Sequence, residues 1–179
     1  ALDARADQAR HRLATMPETT EMVELETSRG EVDDQRRDAQ IVVDDLDLAQ
    51  RKADNDVEQV RARRTRDRDR IDQGLITSPK DLERMQHELT SLDRRISVLE
   101  DEELEVMEQL EQAQAALAEL VQRIAATDER LAELAVVRGE KSAAIQAELA
   151  EIEAQRAPAV AGLPEDLLAL YEKLRAAKG

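Results

Sequence analysis

Six arginines crowd into ten residues, Arg61-Ala-Arg-Arg-Thr-Arg-Asp-Arg-Asp-Arg70. A guanidinium is a planar fork of donors that fits phosphate and carboxylate oxygens, so this stretch has the chemistry of an anion-binding surface. Part of the charge has an internal use if the segment is one strand of a coiled coil. Arg61, Arg63 and Arg70 then flank the seam and are predicted to meet Asp93, Glu88 and Asp81. Arg64, Arg66 and Arg68 are left as candidate contacts for a protein partner or for nucleic acid. No aromatic residue is interleaved with them to stack on bases, which weakens the RNA reading.

Other reactive constellations are thin. Glu100-Asp-Glu-Glu-Leu-Glu105, continued by Glu108 and Glu111, spreads its carboxylates around a helix, and no Asp-rich loop with a central glycine gathers them on a cation. A solvated face is the reading for that run. His87 lies four residues after Glu83 on the side away from the seam, and neither it nor His11 belongs to a His-Glu-x-x-His or inward Glu-x-x-His arrangement. The chain has no cysteine, which removes thiol catalysis, disulfides and zinc–thiolate sites together. There is no glycine-rich phosphate loop and no nucleophile–base pair with positional support. The sequence therefore reads as non-enzymatic, with no catalytic, cofactor-binding or metal-binding residue and no small-molecule substrate.

The elements that carry these residues follow from periodicity. From Leu82 to Leu134 sixteen positions alternate in steps of three and four, and all but Glu103 and Thr127 are apolar. A 3.5-residue spacing held that long is the seam of a coiled coil. A weaker stripe runs from Met22 to Ile71, with ten of fifteen positions apolar. Between them Gly74 suits the left-handed position that ends a helix, Ser78 is the N-cap and Pro79 the first residue of the next helix. So short a connection predicts an antiparallel hairpin. The expected fold is all-α: a long antiparallel coiled-coil hairpin over residues 1–157, with helices about 1–16, 18–73 and 79–157 and a tip at 74–78. Residues 158–179 are read as a linker, opened by Pro158, and a short helix. One aromatic residue and 37% charged residues leave little from which to build a thick globular core.

A register in which facing residue numbers add to about 153 lays one stripe on the other. It pairs Gln50 with Glu103 in a single polar layer, and places Arg29, Arg36 and Arg64 over apolar partners with their guanidinium groups in water. It also sets Pro17 opposite about residue 136, close to Gly139, where a four-residue insertion interrupts the heptads between Leu134 and Ile145. A kink or hinge is predicted there. No run of 18 apolar residues exists, so no membrane span or membrane partner is expected, and the location is read as cytoplasmic. The net charge of −15 works against whole-molecule attraction to nucleic acid, leaving only the local basic patch for that purpose.

Residues 60–111 resemble the bacterial coiled-coil proteins that end in a four-cysteine zinc ribbon and to which nucleic-acid binding is ascribed. The resemblance rests on Gly74, Ser78-Pro79-Lys80-Asp81-Leu82, Gln86-His87-Glu88-Leu89, Leu99-Glu100-Asp101 and Leu104-Glu105-Val106-Met107-Glu108. Leu163-Pro-Glu-Asp-Leu-Leu-Ala-Leu-Tyr-Glu-Lys-Leu-Arg175 is similar to the helix that precedes the ribbon. It implies a hairpin that presents a zinc-binding module to nucleic acid or protein partners. The cysteines of that ribbon, and hence its zinc, are absent from this sequence. The expected role is a coiled-coil adaptor that presents such a module and docks proteins. The alternative is a nucleic-acid-binding protein that uses the arginine tip.

Overall fold

The computed structural model describes residues 2–178, with side chains as far as Leu174; Ala1 and Gly179, the outer limits of the expected hairpin and closing segment, lie outside the described residues. Four helices follow one another: α1 (Leu2–Ala14), α2 (Pro17–Asp72), α3 (Pro79–Val160) and α4 (Glu165–Lys178). Among the described residues there is no strand. The chain divides into two compact units, one of Gly30–Ala125 and one of the residues up to Arg29 with those from Ala126 onward.

In the Gly30–Ala125 unit, α2 and α3 lie antiparallel with their stripes in contact. Val32, Val57, Leu92, Leu99 and Leu110 are buried, Val57 to 1% exposure. Each fully buried Val or Leu contributes roughly 1.5–3 kcal/mol before chain entropy is set against it. Every seam position of α3 from Leu82 to Leu134 is buried or half-buried, and on α2 only Arg64 among the seam positions is exposed. The 3.5-residue pattern therefore translates directly into burial.

In the other unit, α1 and the start of α2 pack on the later part of α3, around Ala6, Ala9, Met16, Leu134 and Ile152. Ala6 and Ala9 are small enough for helices to approach closely, and Ala9 is fully buried. α1 stops at Ala14 and α2 begins at Pro17 itself. Proline disfavours helical geometry in the residue before it, yet sits well as a first helical residue, where its missing N–H is unneeded. The chain bridges the break with the Thr15 amide donating to the His11 carbonyl (2.9 Å) and the Thr19 amide to that of Met16 (3.1 Å). On α3 no break answers it. The helix is continuous through Gly139, where an added Cβ would meet nothing within 4 Å.

The expected register is off by one step of the seam. Arg29 with Asp128, Arg64 with Asp93, and Asp54 with Glu103 all have residue numbers adding to 157 rather than 153. Glu103 thus lies beside Asp54, and Gln50 beside Leu104, Met107 and Leu110, so the Gln50–Glu103 layer does not form. Pro17 faces Lys141, Ala144 and Ile145 rather than residue 136. The reason is geometric: a stripe that repeats every three to four residues fits its partner equally well after a shift of that size. Apolar pattern alone cannot choose between the two.

Pro158 does not end the long helix. α3 passes through it to Val160, and the missing Pro158 N–H costs the ladder one bond, that to the Ala154 carbonyl, two residues before the helix ends. The helix stops where Gly162 and Pro164 follow, and α4 starts with Leu167 and Leu168 amides donating to the Pro164 carbonyl (3.1 Å each).

Candidate interaction surface at the hairpin tip

The tip is built by two capping motifs back to back. Gly74 has φ +68°, the left-handed region that glycine enters without steric penalty. Its amide donates to the Ile71 carbonyl (3.0 Å) and the Leu75 amide to that of Arg70 (3.1 Å), the paired bonds of a Schellman ending. Four residues on, the Asp81 amide donates to Ser78 Oγ (3.4 Å) and the Leu82 amide to the Ser78 carbonyl (3.0 Å), so Ser78 caps α3 and Pro79 is its first residue. In a Schellman ending the residue after the glycine usually packs on the one five positions before it. Here that residue is Arg70, which offers no apolar cover, and Leu75 stays 62% exposed.

Most tip arginines are committed to carboxylates. Arg61 donates to Glu100 (2.6 Å) and Glu58 (3.0 Å), bonds that push its pKa up, that to Glu100 most. Arg63 holds Glu88 at 2.5 Å and lies 3.9 Å from Asp67. Arg64 pairs with Asp93, Arg68 with Asp72 (3.4 Å) and Arg84 with Asp81 (3.2 Å). This corrects three expectations. Arg61 takes Glu100 and leaves Asp93 to Arg64, as the shifted register requires. Arg70 does not pair with Asp81, which Arg84 holds from the neighbouring turn. Of the candidate contacts Arg64, Arg66 and Arg68, only Arg66 has no ion-pair partner among the described residues, and Arg70 joins it. The other two seam arginines also pair with carboxylates at the solvent-accessible surface, Arg29 with Asp128 (2.5 Å) and Arg36 with Asp33 (2.8 Å).

Arg63, Arg70, Leu75, Ser78, Asp81 and Met85 are among the residues lining a groove of about 490 Å³ at the tip. The sequence signal for it is the Gly74–Leu75 pair five residues after Arg70, legible once the Schellman geometry is invoked. Elsewhere in this unit Asp54 and Glu103 share a hydrogen bond, which, with burial, raises the Glu103 pKa from its ordinary value of 4.5.

The unit that contains the termini has a separate feature. Tyr171 Oη donates to Asp3 (2.5 Å), Arg156 donates to Asp3 (2.8 Å) and also pairs with Glu172, so α4 is tied to α1 and α3. Leu167, Leu170 and Leu174 nevertheless remain 53–55% exposed. At the break Glu18 is buried, with Oε1 held by Lys141 and Oε2 without a hydrogen-bond partner among the described residues. The Lys141 bond lowers its pKa despite burial.

Among the described residues no three His, Asp or Glu side chains are grouped to hold a metal ion. Without cysteine, the donors of a zinc ribbon are missing from this chain, and nothing here fits that metal. Among the described residues no helix is long and apolar enough to cross a membrane.

Comparison with known proteins agrees with the hairpin. Two uncharacterized proteins of Mycobacterium tuberculosis, MT2288 of strain CDC 1551 / Oshkosh and Rv2229c of strain H37Rv, are each 33% identical over 189 aligned positions. The match takes in 99% of this chain and 72% of each relative. A solved structure from Mycobacterium smegmatis superposes with a TM-score of 0.81 at 31% identity, over 99% of this chain and 73% of that one. The pattern of the CT398-like coiled coil hairpin domain matches residues 1–179, and the chain belongs to that family.

Proposed function

We propose that this hairpin is a non-catalytic adaptor that docks protein partners and, in proteins of the zinc-ribbon type it resembles, presents that binding module. The observation that carries the reading is α4. Its polar side chains fasten it to Asp3 and Arg156, while Leu167, Leu170 and Leu174 are held exposed along one side. An ordered helix that keeps an apolar stripe in water has the properties of a contact surface.

A photo-crosslinking side chain placed at Leu170 or at Leu75 in living cells is expected to capture discrete proteins, and one placed at the exposed Gln112 is not. Capture of nucleic acid alone would overturn the adaptor reading.

The rival reading, nucleic-acid binding by the tip, draws on Arg66 and Arg70, which have no ion pair among the described residues. It requires binding of labelled RNA or duplex DNA with a steep logarithmic dependence on salt, flattened by Arg66→Ala with Arg70→Ala. The adaptor reading expects no such binding at low salt.

A further inference from the structure

We propose that the tip groove receives an acidic peptide segment of a partner protein, with a carboxylate on Arg70 and a neighbouring apolar side chain against Leu75 and Met85. The inference rests on the protein-docking reading and names the chemistry of one partner. Arg70 lines the groove without an ion pair among the described residues, although Arg63, Arg64, Arg68 and Arg84 around it are all committed. An uncommitted guanidinium beside a 62% exposed leucine offers a charge and an apolar anchor side by side. Both are pre-positioned, because the Schellman bonds from Gly74 and Leu75 fix the backbone that carries them. Backbone ordering therefore costs little on docking, and the loss is confined to the rotamer freedom of the Arg70 side chain.

Charge complementarity selects the occupant. Residues Arg61 to Glu88 hold eight Lys and Arg against six Asp and Glu, in a chain whose net charge is −15. Asp93 and Glu100, just outside that span, hold Arg64 and Arg61, and the groove's three arginines face three carboxylates, so what marks the site for an anion is Arg70, the one lining arginine without an ion pair among the described residues. A polyphosphate suits it poorly, since Asp67, Asp81 and Glu88 line the same groove and would face successive phosphates. Tyr171 is the chain's one Phe, Tyr or Trp, so the tip offers no such ring on which a base would stack. A short segment with one or two carboxylates and an apolar residue avoids both difficulties. The groove's volume of about 490 Å³ accommodates a few side chains.

The test is selection of a random-peptide phage library on the full chain, followed by titration of the enriched peptides by fluorescence anisotropy. Enriched peptides are expected to combine Asp or Glu with Leu, Ile, Met or Phe. Their binding should fall at least tenfold in Arg70→Glu and in Leu75→Ser, less in Arg66→Glu, and stay unchanged in Arg95→Glu, with folding of each variant checked by circular dichroism. No enrichment, enrichment of basic peptides, or binding indifferent to Arg70→Glu and Leu75→Ser would overturn the proposal. So would oligonucleotides that bind in an Arg70-dependent way where peptides do not. Failure here with protein crosslinks at Leu170 intact would leave the adaptor reading standing, so the two are separable.

Discussion

Single residues in this molecule divide into those whose burial is apolar and those whose burial is a compromise. Ile152, at 1% exposure, belongs to the first kind. Ile152→Ala should lower stability by about 2–5 kcal/mol, read from urea midpoints, because the cavity cannot close fully between packed helices. Glu103 belongs to the second. Its raised pKa means that the folded state binds its proton more tightly than the unfolded chain does. The ionised form is thus a liability above that pKa, relieved as pH falls to the ordinary value of 4.5. Glu103→Gln removes the charge but keeps a donor for Asp54. It should raise the melting temperature at pH 7 and converge on the parent below about pH 4.5. A variant less stable at pH 7 would refute that account.

At the scale of elements, glycine position separates a necessary turn from a tolerated one. Gly74→Ala forces a side chain into the left-handed region and should cost about 1–2 kcal/mol. Gly139→Ala places a methyl in open space within a continuous helix and should stabilise by up to about 1 kcal/mol. Thermal melts of the two variants should therefore move in opposite directions. The caps that end α2 and begin α3 were legible from Gly74, Ser78 and Pro79, because their geometry is local. The seam was legible because burial follows its period. The register was not, since a shift of one seam step still lays one largely apolar stripe on the other, and only the few polar seam residues and flanking charges distinguish the two. For the same reason some arginine contacts differ from expectation: Asp93 passes from Arg61 to Arg64 and Arg61 takes Glu100, whereas Arg63 meets Glu88 as expected. The α4 anchor was beyond reach as well. Nothing in the spacing of Asp3, Arg156 and Tyr171 announces that residues so far apart in sequence meet.

For the molecule as a whole, acid is the informative variable. Hydrogen bonds from Lys141, Arg36 and Arg29 hold the carboxyls of Glu18, Asp33 and Asp128 below their ordinary values of 4.5 and 3.8. Such groups contribute stability that is present above those values and lost as pH falls through the depressed ones. Melting temperature should accordingly decline below about pH 4.5, and Lys141→Met should flatten part of that decline. A melting temperature that rises through this range in the parent chain would contradict it. The offset of α2 against α3 carries a last implication. In either meshing each tooth of α2 finds a tooth of α3, and what changes is chiefly whether Glu103 has Asp54 or Gln50 for a neighbour. At neutral pH the two carboxyls push against the adopted meshing, while Arg29–Asp128 and Arg64–Asp93 act as its catches. The alignment of the strands is therefore settled by a contest between a few charges at and beside the seam, and a chain without cysteine lets an engineered cysteine pair record which side has won.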